Sequence, residues 1–242
     1  MKRFNFKDSI VFENDNYIAI CKPAGISSLH ERLGQAKSVF EEAKKYDESL
    51  QLCHRLDKET SGVLLLSKHS EAYAHAAKSF EKRKVKKVYH AVSDGTHGFR
   101  DLEINLPLIT TRSGRSAVNS LKGKPSTTVF NSLENFNHFT LVQCEPVSGR
   151  QHQIRIHLAT QNAAIAADTI YGGKQPYLSR LKRDFTISED KEEKPMIQRF
   201  ALHAYSLKLE DIDGSDMEVV AEYPKDMFVF LKLLRKYDKA NF

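Results

Sequence analysis

The apolar residues of this chain fall mostly into short runs, and polar turn residues separate these runs. Runs rich in β-branched and aromatic residues predict strands at 9–13, 17–22, 63–66, 88–93, 126–133, 139–146, 200–210 and 217–223. Apolar positions at helical spacing predict helices at 35–46, at 70–82, from 154 onward and at 227–237. Strands outnumber helices and occur in mixed order, which predicts an α+β fold with a mostly antiparallel sheet.

Turn and capping residues sharpen several of these boundaries. The polar stretch 14–16 between the first two runs is typical of a hairpin. The run 63–66 contains four large aliphatic residues, is too short for a free-standing helix and suits a central strand. Ser70 is the expected N-cap of the second helix, and Pro224 is expected in the first turn of the last one.

The chain of 242 residues shows neither an internal repeat nor a linker that would separate two domains. We therefore expect one domain over residues 1–242, with two halves that share a core. Residues 95–123 predict connections with short strands. The polar segment 174–199, rich in lysine and glutamate, is expected to be an exposed insertion.

Composition narrows the class of protein. An apolar content of 40% and a charged content of 28% are typical of a soluble globular chain. The three cysteines are widely spaced and include no Cys-x-x-Cys pair, which argues against a disulfide framework or a structural zinc site. Neither a signal peptide nor a run of about 20 apolar residues is present, so a cytoplasmic location is expected.

The net charge of +6 is compatible with a polyanionic partner but does not require one. Its local distribution is more informative, because five of the six residues from 82 to 87 are cationic: Lys82, Arg83, Lys84, Lys86 and Lys87. A solvated surface and a phosphate-binding surface both remain open for this basic block.

The motif His54-Arg55-Leu56-Asp57-Lys58-Glu59-Thr60-Ser61-Gly62 leads directly into the apolar run 63–66. A carboxylate flanked by cations thus precedes a turn and a buried strand. Taken alone, this arrangement also fits a surface loop with a local ion pair.

The motif 54–62 resembles the signature around the catalytic aspartate of the RluA-type pseudouridine synthases, which isomerise uridine to pseudouridine in structured RNA. Further segments resemble family landmarks in the same order: 22–25, 87–91, 149–158, 168–172 and 202–204. The resemblance covers roughly residues 9–232. It implies the pseudouridine synthase catalytic fold, with an active-site cleft across the sheet.

The resemblance also implies roles for single residues. Asp57 would be the nucleophile, attacking either C1′ of the sugar or C6 of the base. Arg155 would pair with Asp57, a contact that favours the ionised carboxylate. Tyr89 would stack on the target base and is a candidate for removing its C5 proton. Because the uridine must leave its stack, Arg55 would fill the vacated space.

Substrate contacts are expected from further polar side chains. Besides Arg55 and the basic block, the RNA-binding candidates are His54, Lys22, Arg150 and His152. The histidines lack carboxylate or cysteine companions at metal-ligand spacing, so no metal is expected. The reaction is redox-neutral and adds no group, and no nucleotide-binding motif is present, so no cofactor is expected. The expected partner is tRNA or rRNA, no membrane contact is expected, and the protein is expected to be a monomer.

The sequence differs from the family pattern in two places, and two alternative functions remain open. Ala167 stands where the family often has glycine, and the first strand begins too early to leave room for an N-terminal S4 domain. An RNA-binding or RNA-folding module on the same scaffold would need no ionised Asp57. A glycosidase or nucleosidase would need a second carboxylate as its acid.

Overall fold

The computed structural model describes residues 4–30, 37–111, 114–187 and 192–240. The chain divides into two compact units, and each unit is built from two separate stretches. The first unit comprises residues 1–89 and 203–222, and the second comprises residues 90–202 and 223–242. The single domain with a shared core stays a prediction.

The described residues form twelve strands and four α-helices. The strands are β1 (Ile10–Glu13), β2 (Tyr17–Lys22), β3 (Gln51–Leu52), β4 (Ser61–Ser67), β5 (Lys86–Asp94), β6 (Leu102–Asn105), β7 (Leu108–Thr110), β8 (Ser116–Val118), β9 (Thr127–Asn135), β10 (Phe139–Pro146), β11 (Leu202–Glu210) and β12 (Asp216–Val220). The helices are α1 (Val39–Tyr46), α2 (Ser70–Glu81), α3 (Gln153–Thr160) and α4 (Lys225–Tyr237).

In the first unit, β4 is the central strand. It pairs antiparallel with β2 and β3 and parallel with β11, while β1 extends β2 and β12 extends β11, both antiparallel. All seven residues of β4 are buried, which confirms the prediction of a central strand. The predicted hairpins β1–β2 and β11–β12 are also confirmed.

Alternate residues of β4 serve two different cores, as expected of a strand. Val63 and Leu65 belong to a cluster that includes Ala72 and Ala76 of α2. Leu64 and Leu66 belong to a cluster with Val39 and Ala43 of α1, which we call the α1-side core. Because a helix covers each face, the strand has no polar side, and this explains its uninterrupted apolar run.

In the second unit, the strands follow the order β5-β10-β9-β6, and β7 and β8 form a separate hairpin. The boundary between the units falls within β5, after Tyr89. Phe230 of α4 meets Phe139 edge to face, with 5.7 Å between the ring centroids, which fixes α4 beside β10. Most of the named pairings are antiparallel and that of β4 with β11 is parallel, as the predicted α+β class requires.

Three helix starts differ from the predictions. His69, not Ser70, is the N-cap of α2, because its side chain accepts a hydrogen bond from the backbone N–H of Ala72. Helix α1 begins at Val39 because Ser38 and Glu41 form a capping box; residues 35 and 36 lie outside the described residues. Pro224 is the N-cap of α4 rather than a residue of its first turn.

The segment 174–199 is exposed or half-buried along most of its described residues. Its end departs from the prediction, since Ile197 and Arg199 are buried. The Arg199 guanidinium donates to Asp226 of α4 at 2.7 Å, which ties this end of the segment to the core. No helix within the described ranges is long and apolar enough to span a membrane.

Gly62 is required by the close approach of β4 and β11. Its φ is +115°, and a Cβ placed there would lie 2.1 Å from the backbone oxygen of Ala204. We expect Gly62→Ala to lower the free energy of unfolding by at least about 3 kcal/mol, because two paired backbones would have to separate. The measurement is urea-induced unfolding.

Gly214→Ala is the matched control. Gly214 also has a positive φ, of +84°, but no atom lies within 4 Å of its Cβ position. This variant should lose only about 1 kcal/mol, the cost of a left-handed alanine. Equal losses in the two variants would show that the contact with Ala204 does not matter.

Candidate active site

Asp57 lies in the loop between β3 and β4. Its backbone oxygen accepts a hydrogen bond from the N–H of Thr60 at 3.1 Å, which closes a turn over residues 57–60. The residue itself is half-buried, whereas Thr60 and Ser61 behind it are buried. The Asp57 carboxylate is thus carried on a short turn whose end enters the central strand.

The residue before Asp57 is fixed through both of its backbone groups. The Ser28 hydroxyl donates to the backbone oxygen of Leu56 at 2.9 Å and is approached by the Leu56 N–H at 3.0 Å. Ser28 is buried and the Leu56 side chain packs in the α1-side core. This reciprocal contact leaves the loop little freedom on its N-terminal side.

The residue after Asp57 is fixed by the turn that follows β2. The backbone oxygen of Lys58 accepts hydrogen bonds from the Gly25 N–H at 2.9 Å and from Lys22 Nζ at 3.0 Å. Lys22 Nζ also donates to the backbone oxygens of Pro23 and Ile26, at 3.0 and 2.9 Å. One ammonium group therefore joins the turn 23–26 to the Asp57 loop.

The predicted contact of Lys22 with RNA is contradicted by this arrangement. Lys22 is fully buried, and three backbone oxygens already take the three hydrogens of its ammonium group. Its role is to hold the loop in place.

His54 also has a structural role. Its Nε2 accepts a hydrogen bond from the Leu65 N–H at 3.1 Å, and its ring lies 5.1 Å from that of Phe80. Burial, followed by the charge of Lys87, lowers the pKa of His54 to about 3. The ring is therefore neutral near pH 7, so any contact with RNA would not be that of a cation.

Tyr89 lies at the edge of the α1-side core and is half-buried. Burial, and to a smaller extent the negative charge of Asp57, raise the pKa of Tyr89 well above its usual range. At neutral pH the side chain is a phenol, which suits stacking on a base. A role as proton acceptor would have to overcome this unfavourable ionisation.

The other cations predicted to bind RNA are mostly accessible. Arg55 is exposed, as are Lys82, Arg83, Lys84 and Lys86. Lys87 is half-buried, and burial together with repulsion from Arg83 lowers its pKa to about 8. Their contact with RNA stays a prediction.

In the second unit, Arg155 is a buried cation. It is only 3% exposed; its Nε donates to Asp168 Oδ2 at 2.6 Å and its Nη2 to Oδ1 at 2.7 Å. The guanidinium carbon lies 4.2 Å from the ring centre of Phe200 and 4.9 Å from that of Tyr171. A two-point ion pair between aromatic rings holds this group rigidly. The predicted pairing of Arg155 with Asp57 stays a prediction.

Tyr171 connects this cation to the start of α3 and to the β7–β8 hairpin. Its hydroxyl lies 2.8 Å from His152 Nδ1 and accepts a hydrogen bond from the Ser116 N–H at 3.1 Å. His152, an RNA-binding candidate, is half-buried and has a φ of +56°. Arg150, another candidate, is half-buried, and its Nε donates to the backbone oxygen of Pro125 at 3.4 Å.

The departure at Ala167 has a structural explanation. Ala167 has a φ of +64°, in the left-handed region that glycine adopts without strain. It directly precedes Asp168, and its N–H donates to the backbone oxygen of Lys174 at 2.8 Å. The backbone therefore keeps the conformation suited to glycine, and alanine is accommodated in it.

The described ranges contain no group of three histidine, cysteine or acidic side chains arranged to hold a metal ion. His157 is buried, its Nδ1 lies 2.9 Å from the Thr128 hydroxyl, and burial lowers its pKa. It packs in the second unit as a neutral side chain.

Residues 16–160 match the family described as RNA pseudouridylate synthase. The chain belongs to this family. It is 32% identical over 238 residues to "Ribosomal large subunit pseudouridine synthase C" of Vibrio parahaemolyticus, covering 94% of this chain and 69% of the relative. It is 27% identical to "Ribosomal large subunit pseudouridine synthase D" of Borreliella burgdorferi, covering 98% and 72%.

The Vibrio cholerae synthase C is 36% identical over 176 residues, covering 69% of this chain and 53% of that protein. The chain thus spans about half to three quarters of the length of these relatives. Among solved structures, human RNA pseudouridylate synthase domain containing 4 has a TM-score of 0.71 at 22% identity, covering 95% of this chain and 94% of that one. This likeness shows the fold. The predicted family, fold class and enzyme class, an isomerase acting on RNA, are confirmed.

Three contributors to these arrangements were not predicted from the sequence. No sequence pattern distinguishes Ser28, because a single serine in a loop can form many different hydrogen bonds. Phe200 and Tyr171 surround Arg155 from distant positions. Asp168 and Tyr171 did belong to a matched landmark, and a buried arginine requires a carboxylate, so this pairing could have been proposed.

We expect Lys22→Met to lower the free energy of unfolding by roughly 3 kcal/mol, because three backbone oxygens lose a charged donor. Activity on RNA should fall about 10²-fold as the Asp57 loop shifts. Lys58→Met is the control for stability, since it keeps the backbone oxygen that Lys22 contacts, and it should change the unfolding free energy by less than about 0.5 kcal/mol. Similar unfolding curves for both variants would contradict this role of Lys22.

We expect Asp168→Asn to cost about 3–5 kcal/mol of unfolding free energy, because the buried Arg155 charge loses its counterion. Glu134→Gln breaks an ion pair with Arg235 in the same unit, but both side chains of that pair are partly exposed, at 33% and 49%. It should therefore cost about 1 kcal/mol or less. Thermal and urea unfolding measure both, and equal costs would contradict the strong dependence on burial.

Proposed function

We propose that this protein isomerises a uridine of large-subunit ribosomal RNA to pseudouridine, with Asp57 as the nucleophile. The observation that carries the proposal is the Asp57 loop, in which backbone groups on both sides of the carboxylate are fixed by Ser28 and Lys22. Such fixation is what a nucleophile needs for a reproducible angle of attack. The named ribosomal relatives favour rRNA over tRNA.

The chemistry requires an attacking carboxylate and no external reagent. The N1–C1′ glycosidic bond breaks, the uracil turns, and a C5–C1′ bond forms while the C5 proton leaves and N1 gains one. Asp57 would form a transient covalent bond with C1′ or C6 and be released unchanged. The atoms balance within the nucleotide, so the reaction is an isomerisation.

The other site residues serve the same reaction in this proposal. Tyr89 stacks as a phenol on the extruded uracil, because burial and, to a smaller extent, the charge of Asp57 raise its pKa. Arg55, exposed beside Asp57, fills the space left in the RNA. Arg155 supports the ionised form of Asp57. A monomeric state, a cytoplasmic location and the lack of a nucleotide cofactor are further predictions.

The decisive test is tritium release from C5-labelled uridine in large-subunit rRNA, with tRNA as a second substrate. Asp57→Asn keeps the shape of the side chain and removes the nucleophile, so release should fall at least about 10³-fold. Glu59→Gln is the matched control, because it neutralises a carboxylate of the same turn. It should stay within about threefold of wild type.

Each alternative outcome of this experiment would contradict a different part of the proposal. Equal release by wild type and Asp57→Asn would show that Asp57 is not the nucleophile. RNA binding without release by the wild type would favour the non-catalytic module. Release from tRNA alone would overturn the ribosomal assignment, and free uracil would indicate a nucleosidase.

A further inference from the structure

A pocket of about 490 Å³ lies in the first unit, away from the Asp57 loop. It is formed by the end of α2, the residues that lead into β5, and the β11–β12 hairpin. The lining residues are His75, Lys78, Ser79, Lys82, Lys84, Lys86, Lys208, Leu209, Glu210 and Asp216. Only one of them, Leu209, is a large apolar residue, so the pocket does not suit an apolar ligand.

Positive charge predominates in this pocket. Five lysines line it, against two carboxylates. One carboxylate is already engaged, because Asp216 Oδ2 lies 2.7 Å from Lys208 Nζ. The remaining charge is concentrated in Lys78, Lys82, Lys84 and Lys86.

These four ammonium groups form no ion pair or side-chain hydrogen bond within the described part of the chain. Other lysines of the same unit behave differently. Lys45 and Lys37 lie 2.8 and 3.4 Å from Glu42, and Lys68 lies 3.0 Å from Glu13. Gathering like charges without counterions costs free energy, and a bound polyanion would recover it.

The backbone brings two pairs of these lysines to the pocket from consecutive segments of the chain. Lys78 and Lys82 are one helical turn apart at the end of α2. The chain then turns sharply: the Arg83 N–H donates to Phe80 at 3.1 Å, and the Lys84 N–H donates to Ser79 at 2.9 Å. Arg83 has a φ of +57°, so this turn is tight, and it leads directly to Lys84 and Lys86.

We propose that this pocket binds consecutive backbone phosphates of the RNA substrate, outside the segment that carries the target uridine. The inference rests on the proposed function for the identity of the polyanion. Ala204 pairs with Gly62, and Lys208 is four residues further along β11. The pocket therefore lies roughly 13 Å along the strand from the start of β4, since each strand residue adds about 3.3 Å.

The distance of the pocket from the start of β4 predicts a contribution to RNA binding and not to the chemical step. Lysine–phosphate contacts release counterions, so each one makes the dissociation constant more dependent on salt. The pocket adds Lys78 and Lys208 to the RNA-binding candidates. It also assigns Lys82, Lys84 and Lys86 to one shared site.

The test uses the full chain with Lys78→Glu and Lys84→Glu combined, and transcribed large-subunit rRNA. We expect the dissociation constant and KM to rise at least about tenfold while kcat stays within about threefold. The slope of log K against log salt should become shallower by about 1.5, since two phosphate contacts are lost. The matched control combines Lys7→Glu with Lys232→Glu, two exposed lysines outside the pocket.

Lys78→Gln combined with Lys84→Gln guards against misfolding through charge reversal and should show a smaller shift in the same direction. The proposal is overturned if the pocket and control variants have equal dissociation constants and salt slopes, or if kcat alone falls. Because RNA binding is measured directly, this test does not depend on whether Asp57 is the nucleophile. Salt-dependent binding through the pocket with no tritium release would reject the proposed reaction while retaining the site.

Discussion

The buried ammonium group of Lys22 is the contact on which the Asp57 loop depends. A lysine is almost never fully buried unless its charge is compensated, because removing it from water is costly. Here backbone oxygens of Pro23, Ile26 and Lys58 offset that cost, and they come from two segments more than 30 residues apart. The conformation of the residue beside Asp57 is thus set by a cation that is inaccessible to solvent.

The sequence predicts the strands well where the physical signal is local. The uninterrupted aliphatic run 63–66 is best explained by a strand covered on both faces, and the structure has β4 there. Helix starts were less predictable, because a histidine at position 69 competes with Ser70 as the cap through a contact that only the folded geometry reveals. Asp57 could be proposed because its neighbours form a specific motif.

The role of Lys22 could not be predicted, because a lysine before a Pro-x-Gly turn has the sequence signature of a surface cation. Its burial depends on three oxygens converging after folding. Arg155 shows the same limitation in the second unit, where its ion pair with Asp168 and its contacts with Tyr171 and Phe200 involve positions 13 to 45 residues away. Local patterns report which residues are unusual, whereas the partners that explain them are brought together by tertiary structure.

The net charge of +6 conceals two populations of cations with opposite requirements. Lys22 and Arg155 are buried and compensated by protein oxygens, so their contacts are weakly screened and should persist at high salt. Lys78, Lys82, Lys84 and Lys86 line a solvent-accessible pocket without protein counterions, and any contact they make with a polyanion must weaken as salt rises. Ionic strength therefore separates cations that maintain the fold from cations available to a polyanion, a distinction that sequence composition cannot make.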